Sequence, residues 1–112
     1  MQVTIAALEA YLFDHYGSCA NEQGMFMKLV EEIGEVAEVL NKRTGRKSSD
    51  GSDLQAELGN ELADVIHYAV AIAAINKLDL NEIIIKKDKQ ASVKYHHDVN
   101  LETFISKRNN LA

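Results

Sequence analysis

From Glu22 to Lys42 apolar residues return every three or four positions, at Phe26, Leu29, Val30, Ile33, Val36, Ala37 and Leu40. Lys28, Glu31, Glu32, Glu35 and Glu38 fill the positions between them. This is the α-helical period. A second such stretch starts at Asp53, a residue suited to capping a helix, and runs to about Asn76. Its first half is acidic and its second half, VIHYAVAIAAI, is apolar on nearly every side. The chain has 112 residues and no proline, so nothing forces either helix to stop early.

The expected fold is therefore all-α, a bundle of four to five helices. A first short helix is expected over Val3–Tyr16, with Val3, Ala6, Ala7, Ala10 and Tyr11 as its apolar stripe and Leu8 and Leu12 beside it. A break follows at Gly17 and Ser18, and Asn21 caps the second helix. The polar run RTGRKSSDGS, Arg43 to Ser52, reads as the longest loop. A fourth helix begins at Asp79 or Asn81 and reaches about Tyr95, and a fifth is expected over Leu101–Lys107. The whole of 1–112 reads as one domain, with its core at about 22–95. A helix that is apolar all round must be covered all round, which so few helices can barely do. The bundle is thus expected to be completed by homo-oligomerisation, as a dimer or tetramer.

Composition removes several classes of function. Twelve Lys and Arg against 17 Asp and Glu give a net charge of −5 with no basic block, which argues against a nucleic-acid partner held by bulk attraction. The longest uncharged apolar stretch, Val65–Ile75, is 11 residues, short of the roughly 20 that cross a bilayer. Met1–Leu12 has no basic residue before its apolar stretch, unlike a signal peptide. The lone Cys19 offers neither a disulfide nor a zinc motif. The expectation is a cytoplasmic protein without membrane or nucleic-acid partners.

The acids carry the chemistry. Residues three or four apart share a helix face, so Glu32 projects with Glu35 and Glu61 with Asp64. Each pair places like charges a few ångströms apart, and two pairs meeting across a helix interface repel strongly unless a cation neutralises them. Four carboxylates without His or Cys make a hard oxygen site that suits Mg²⁺, with Mn²⁺ possible, and disfavours zinc.

KLVEEIGEVAEVL (Lys28–Leu40), a polar loop, and ELADVIHYAVAIA (Glu61–Ala73) together resemble the MazG-like all-α nucleoside triphosphate pyrophosphohydrolases. The family pattern is a helix with Glu-Glu-x-x-Glu and, after a variable gap, a helix with Glu-x-x-Asp. KKDKQASVKY, Lys86–Tyr95, resembles the basic, tyrosine-ended helix that closes the family domain. The resemblance implies that Glu32, Glu35, Glu61 and Asp64 bind magnesium. It implies hydrolysis of a ribo- or deoxyribonucleoside triphosphate between its α and β phosphates, to a monophosphate and pyrophosphate, in nucleotide-pool house-cleaning. Glu35 or Glu38 is the expected proton acceptor, while Glu31 and Glu57 are further acids near the metal. Lys28, which opens the motif, and Lys87, Lys89, Lys94 and Tyr95 are expected to contact substrate; Lys28 could instead pair with Glu31 or Glu32. Two positions depart from the pattern: Ala91 stands where many relatives have a nucleotide-holding Asn, and Asn60 where an acid is frequent.

The base is expected in an apolar slot built from Leu8, Tyr11, Leu12 and Phe26, partly from a neighbouring subunit. Lys42, Arg43, Arg46 and Lys47 could fold over the triphosphate. His67 reads as a core or interface histidine, and His96 and His97 as surface. Two other readings keep the same acids: a catalytically silent nucleotide or metal sensor, and a helical interaction module with a solvated acidic stripe.

Overall fold

In the computed structural model, which describes residues 1–17, 21–45 and 53–111, five α-helices follow one another. They are α1 (Ile5–Tyr16), α2 (Glu22–Arg43), α3 (Leu54–Ile75), α4 (Leu80–Lys94) and α5 (Leu101–Leu111). No strand occurs among the described residues. Each start is fixed by a short polar side chain accepting from a backbone amide three residues on, which satisfies one of the four orphan N–H groups at a helix start. Thr4 accepts from Ala7 at 3.1 Å, Asn21 from Gly24 at 3.0 Å and Asp53 from Ala56 at 3.1 Å. Asp79 accepts from Glu82 at 3.1 Å and Asn100 from Thr103 at 2.8 Å. Cys19, Arg46, Lys47 and most of the predicted loop lie outside the described residues.

The helices fall into two compact units, Met1–Leu78 and Asp79–Ala112. In the first, α2 and α3 run antiparallel. Asn76, which ends α3, donates its side-chain amide to Glu22 Oε1 at 2.7 Å at the start of α2, and to the Ile72 carbonyl at 2.8 Å. α1 packs against α3 as well. The buried apolar side chains are Leu12 of α1, Met25 and Val39 of α2, and Val70, Ala71, Ala73 and Ala74 of α3. The alanines let backbones approach closely. α3 is long and apolar enough to cross a bilayer by length and composition, with a mean hydropathy of 1.3 over its most apolar window, but it packs against both α1 and α2.

α1 buries a different face from the one expected. Leu12 and Glu9 are buried and Ile5, Leu8 and Tyr16 half-buried, whereas Val3, Ala6, Ala7, Ala10 and Tyr11 are exposed. The helix has apolar residues on two faces, and the larger leucines turn inward because they remove more area from water than alanines do. On α2 the inward positions are Met25, Leu29, Glu32, Val36 and Val39, while Phe26, Val30, Ile33 and Leu40 stay exposed.

In the second unit α4 and α5 are tied at a corner. Asp88 Oδ2 on α4 accepts from the Leu101 amide at the start of α5 at 2.6 Å, and Lys89 pairs with Glu102 at 2.9 Å. α5 continues four residues past its expected end at Lys107, to Leu111.

Candidate metal centre and its flanking pockets

Glu32 on α2 and Glu61 and Asp64 on α3 each turn one carboxylate oxygen to a common point, the three atoms lying within 4.8 Å of one another. Glu32 and Glu61 are half-buried and Asp64 is exposed. Oε2 of Glu32 and Oε2 of Glu61 are shut off from solvent and have no hydrogen-bond partner among the described residues. Orphaned buried oxygens are uncommon because each forfeits its hydration without replacement. Here two occur in one cluster.

Glu35 stands beside them. The Glu35 and Glu32 carboxylates facing Glu61, together with its burial, push Glu61 from the ordinary 4.5 up to about 7. Burial, then Glu35 and Asp64, raise Glu32 as well, with Glu61 acting in the opposite sense. A half-buried carboxyl that holds a proton near neutral pH reports uncompensated negative charge. The donor set is oxygen only, anionic and short of positive charge, which is what a hard divalent cation requires.

Two pockets flank the cluster along the α2–α3 groove. Toward the start of α2, Tyr16, Asn21, Gly24, Met25, Lys28 and Tyr68 line a cavity of about 240 Å³. Tyr68 stands one turn beyond Asp64 and Lys28 one turn before Glu32, so the pocket continues the acidic face by a single turn on each helix. The Tyr16 hydroxyl shares a hydrogen bond of 2.8 Å with His67 Nε2, and edge-on ring contacts link Tyr16 to His67 and His67 to Tyr68. Burial raises the Tyr16 hydroxyl above its usual range, so it stays protonated. Toward the end of α2, Glu35, Glu38, Val39, Lys42, Glu57 and Glu61 line a second cavity of about 240 Å³.

A family model for the MazG nucleotide pyrophosphohydrolase domain matches residues 20–95. The chain belongs to the MazG family. No curated protein matches it.

The MazG match covers α2, α3 and α4 and ends at the predicted closing tyrosine, Tyr95. Of the acids read from the sequence, Glu32, Glu61 and Asp64 converge, Glu35 adjoins Glu61, and Glu38 and Glu57 lie one turn further along the groove. Lys28 lines the first pocket but is paired with Glu31 at 3.3 Å. Lys89 is engaged by Glu102 at 2.9 Å. Lys87, Lys94 and Tyr95 share a cavity of about 320 Å³ in the second unit with Gln90 and Ala91, and Lys94 lies 5.3 Å from the centre of the Tyr95 ring.

Leu12 is fully buried, Tyr11 and Phe26 are exposed, and none of Leu8, Tyr11, Leu12 or Phe26 lines the pocket beside the acids. Tyr16, Asn21, Gly24 and Met25 line it with Lys28, which was expected to contact substrate, and with Tyr68, which continues the acidic face of α3 one turn beyond Asp64. His67 is half-buried and bonded to Tyr16, while His96 and His97 are exposed as expected.

Proposed function

We propose that this MazG protein hydrolyses a nucleoside triphosphate between its α and β phosphates, releasing a monophosphate and pyrophosphate, with Mg²⁺ held by Glu32, Glu35, Glu61 and Asp64. The convergence of three carboxylate oxygens within 4.8 Å, beside the buried, donor-less Oε2 atoms of Glu32 and Glu61, carries the reading. When bound, the cation supplies charge neutralisation and Lewis-acid polarisation to phosphate and water. The chain's own residues do the rest. The four acids fix the cation between two rigid helices. The tyrosine-lined pocket takes the nucleoside, Tyr16 and Tyr68 giving apolar ring surface and polar edges. Glu35 or Glu38 accepts the proton released when water attacks the α phosphorus in line with the departing pyrophosphate. The role we assign is nucleotide-pool house-cleaning.

A second copy of the chain is proposed to cover the exposed apolar stripe. Phe26, Val30, Ile33 and Leu40 of α2 and Leu62 and Ile66 of α3 lie on the same side of the antiparallel pair by helical register, and each is 44–53% exposed. Monomers rarely leave such a patch bare, and a two-fold axis sets it against its own copy. Joining two such faces removes on the order of 1,000 Å² from water, the scale of a specific interface.

Pyrophosphate release from each common ribo- and deoxyribonucleoside triphosphate, with Mg²⁺ or with EDTA, tests the activity. Release that needs Mg²⁺ and is lost in Glu61→Gln supports it. A folded protein that binds Mg²⁺ and cleaves nothing would be a sensor.

A further inference from the structure

Lys42 sits in the last turn of α2, seven residues beyond Glu35 and four beyond Glu38, so it continues the acidic face toward the helix end. Its Cα stands about 10 Å along the helix from that of Glu35. Lys42 lines the second cavity together with Glu35 and Glu61, which belong to the carboxylate cluster. Its surroundings hold Glu35, Glu38, Glu57 and Glu61, yet among the described residues it forms no ion pair. Lys28, the cation of the opposite pocket, is already paired with Glu31. The groove is therefore asymmetric. One end offers tyrosine rings and a neutralised lysine, and the other offers a lysine that no ion pair engages.

We propose that Lys42 binds the β,γ-phosphate end of the substrate and so fixes the direction in which a nucleoside triphosphate lies along the groove. This rests on the hydrolase reading and deepens it. A triphosphate is a polar rod with a ring system at one end and most of its negative charge at the other. The α phosphate has to lie at the carboxylate cluster, so the tail extends into one flanking pocket and the nucleoside into the other. A lysine is a compact point charge on a flexible stem, suited to a terminal phosphate that presents oxygens in several directions. Glu38 and Glu57 in the same wall repel a bare anion, so the tail enters as its magnesium complex, with Lys42 meeting the oxygens that the cation leaves open. After cleavage, pyrophosphate is the product held at Lys42, and the monophosphate stays at the tyrosine end.

The two products test this separately. Inorganic pyrophosphate and, in parallel, adenosine, guanosine, cytidine and uridine monophosphates are titrated calorimetrically into the Mg²⁺-loaded wild type, Lys42→Ala, Lys42→Gln and Lys42→Arg. The expected result is pyrophosphate affinity weakened about tenfold or more in the Ala and Gln variants and largely kept in Arg. Monophosphate affinity and the Mg²⁺-induced rise in melting temperature should stay at wild-type values in all three. The assignment is overturned if the wild type binds no pyrophosphate, if pyrophosphate affinity is unchanged without Lys42, or if both products weaken together, as damage to the helix end would cause. Weakening of the monophosphate alone would reverse the direction and also overturn it. The hydrolase reading fails on a different result: a wild type that releases no pyrophosphate from any triphosphate while these titrations still decide the place of Lys42.

Discussion

Glu61 concentrates the electrostatics of the site. Its carboxyl is pushed up to about 7 by Glu35 and Glu32 and by burial, against an ordinary 4.5. Between those two pH values the folded protein holds a proton that the unfolded chain has released, so this group favours the fold at low pH and the contribution is lost as pH rises through about 7. Metal-free protein in EDTA should accordingly melt at a lower temperature at about pH 8 than at about pH 5.5, and saturating Mg²⁺ should reverse the trend, because the cation binds the deprotonated set. Differential scanning calorimetry with and without EDTA reads both slopes. Glu61→Gln removes one charge from the crowded cluster, so it should melt at or above the metal-free wild type and show no rise with Mg²⁺. These acids were legible in the sequence because helical register alone puts Glu32 with Glu35 and Glu61 with Asp64. The tyrosine pocket was not, since Tyr16 reaches it from α1, and no periodicity within α2 or α3 reports the approach of a third helix.

Helix boundaries follow from local chemistry that a sequence displays. Asn21 and Asp53 cap the helices they were expected to start, and of Asp79 and Asn81 it is Asp79 that caps α4. Two helix ends break local preference. Lys77 after α3 and His96 after α4 adopt the left-handed conformation, with φ of 56° and 57°. Each closes a turn in which the following amide reaches back to the helix, Leu78 to the Ala73 carbonyl at 3.0 Å and His97 to that of Ser92 at 2.9 Å. Glycine adopts that conformation without the Cβ clash, so Lys77→Gly should raise stability by about 1 kcal/mol, measured by urea unfolding. Asp88 reaches across thirteen residues to hold the first amide of α5. Asp88→Ala should weaken that corner by about 1 kcal/mol and speed hydrogen exchange at the amides opening α5, while exchange in α2 and α3 stays unchanged. The extension of α5 past Lys107 was hidden because Arg108, Asn109 and Asn110 carry neither a glycine nor a proline to stop it. The buried face of α1 was hidden because alanines on one side and leucines on the other both satisfy a helical stripe.

For the whole molecule, the apolar residues outnumber the places inside one chain to put them. The second half of α3, expected to need a second copy as its cover, is instead covered within the chain, with Val70, Ala71, Ala73 and Ala74 buried, and the exposed stripe lies on α2 with Leu62 and Ile66 of α3. Ile33, 53% exposed, lies mid-stripe. Ile33→Asp should therefore convert the proposed oligomer to a smaller species in light scattering without unfolding its helices, since the change touches only an exposed position. An unchanged mass would remove the second copy as the cover of that face. The nucleotide pocket and Lys42 both depend on one earlier proposition, that the carboxylates of α2 and α3 form a cation site. Its most direct test is calorimetric titration of Mg²⁺ into metal-free wild type and Glu61→Gln near pH 7. Saturable binding to the wild type with proton release, abolished in a Glu61→Gln variant that still folds, is the predicted result. No binding to the folded wild type, or equal binding to both proteins, would contradict it.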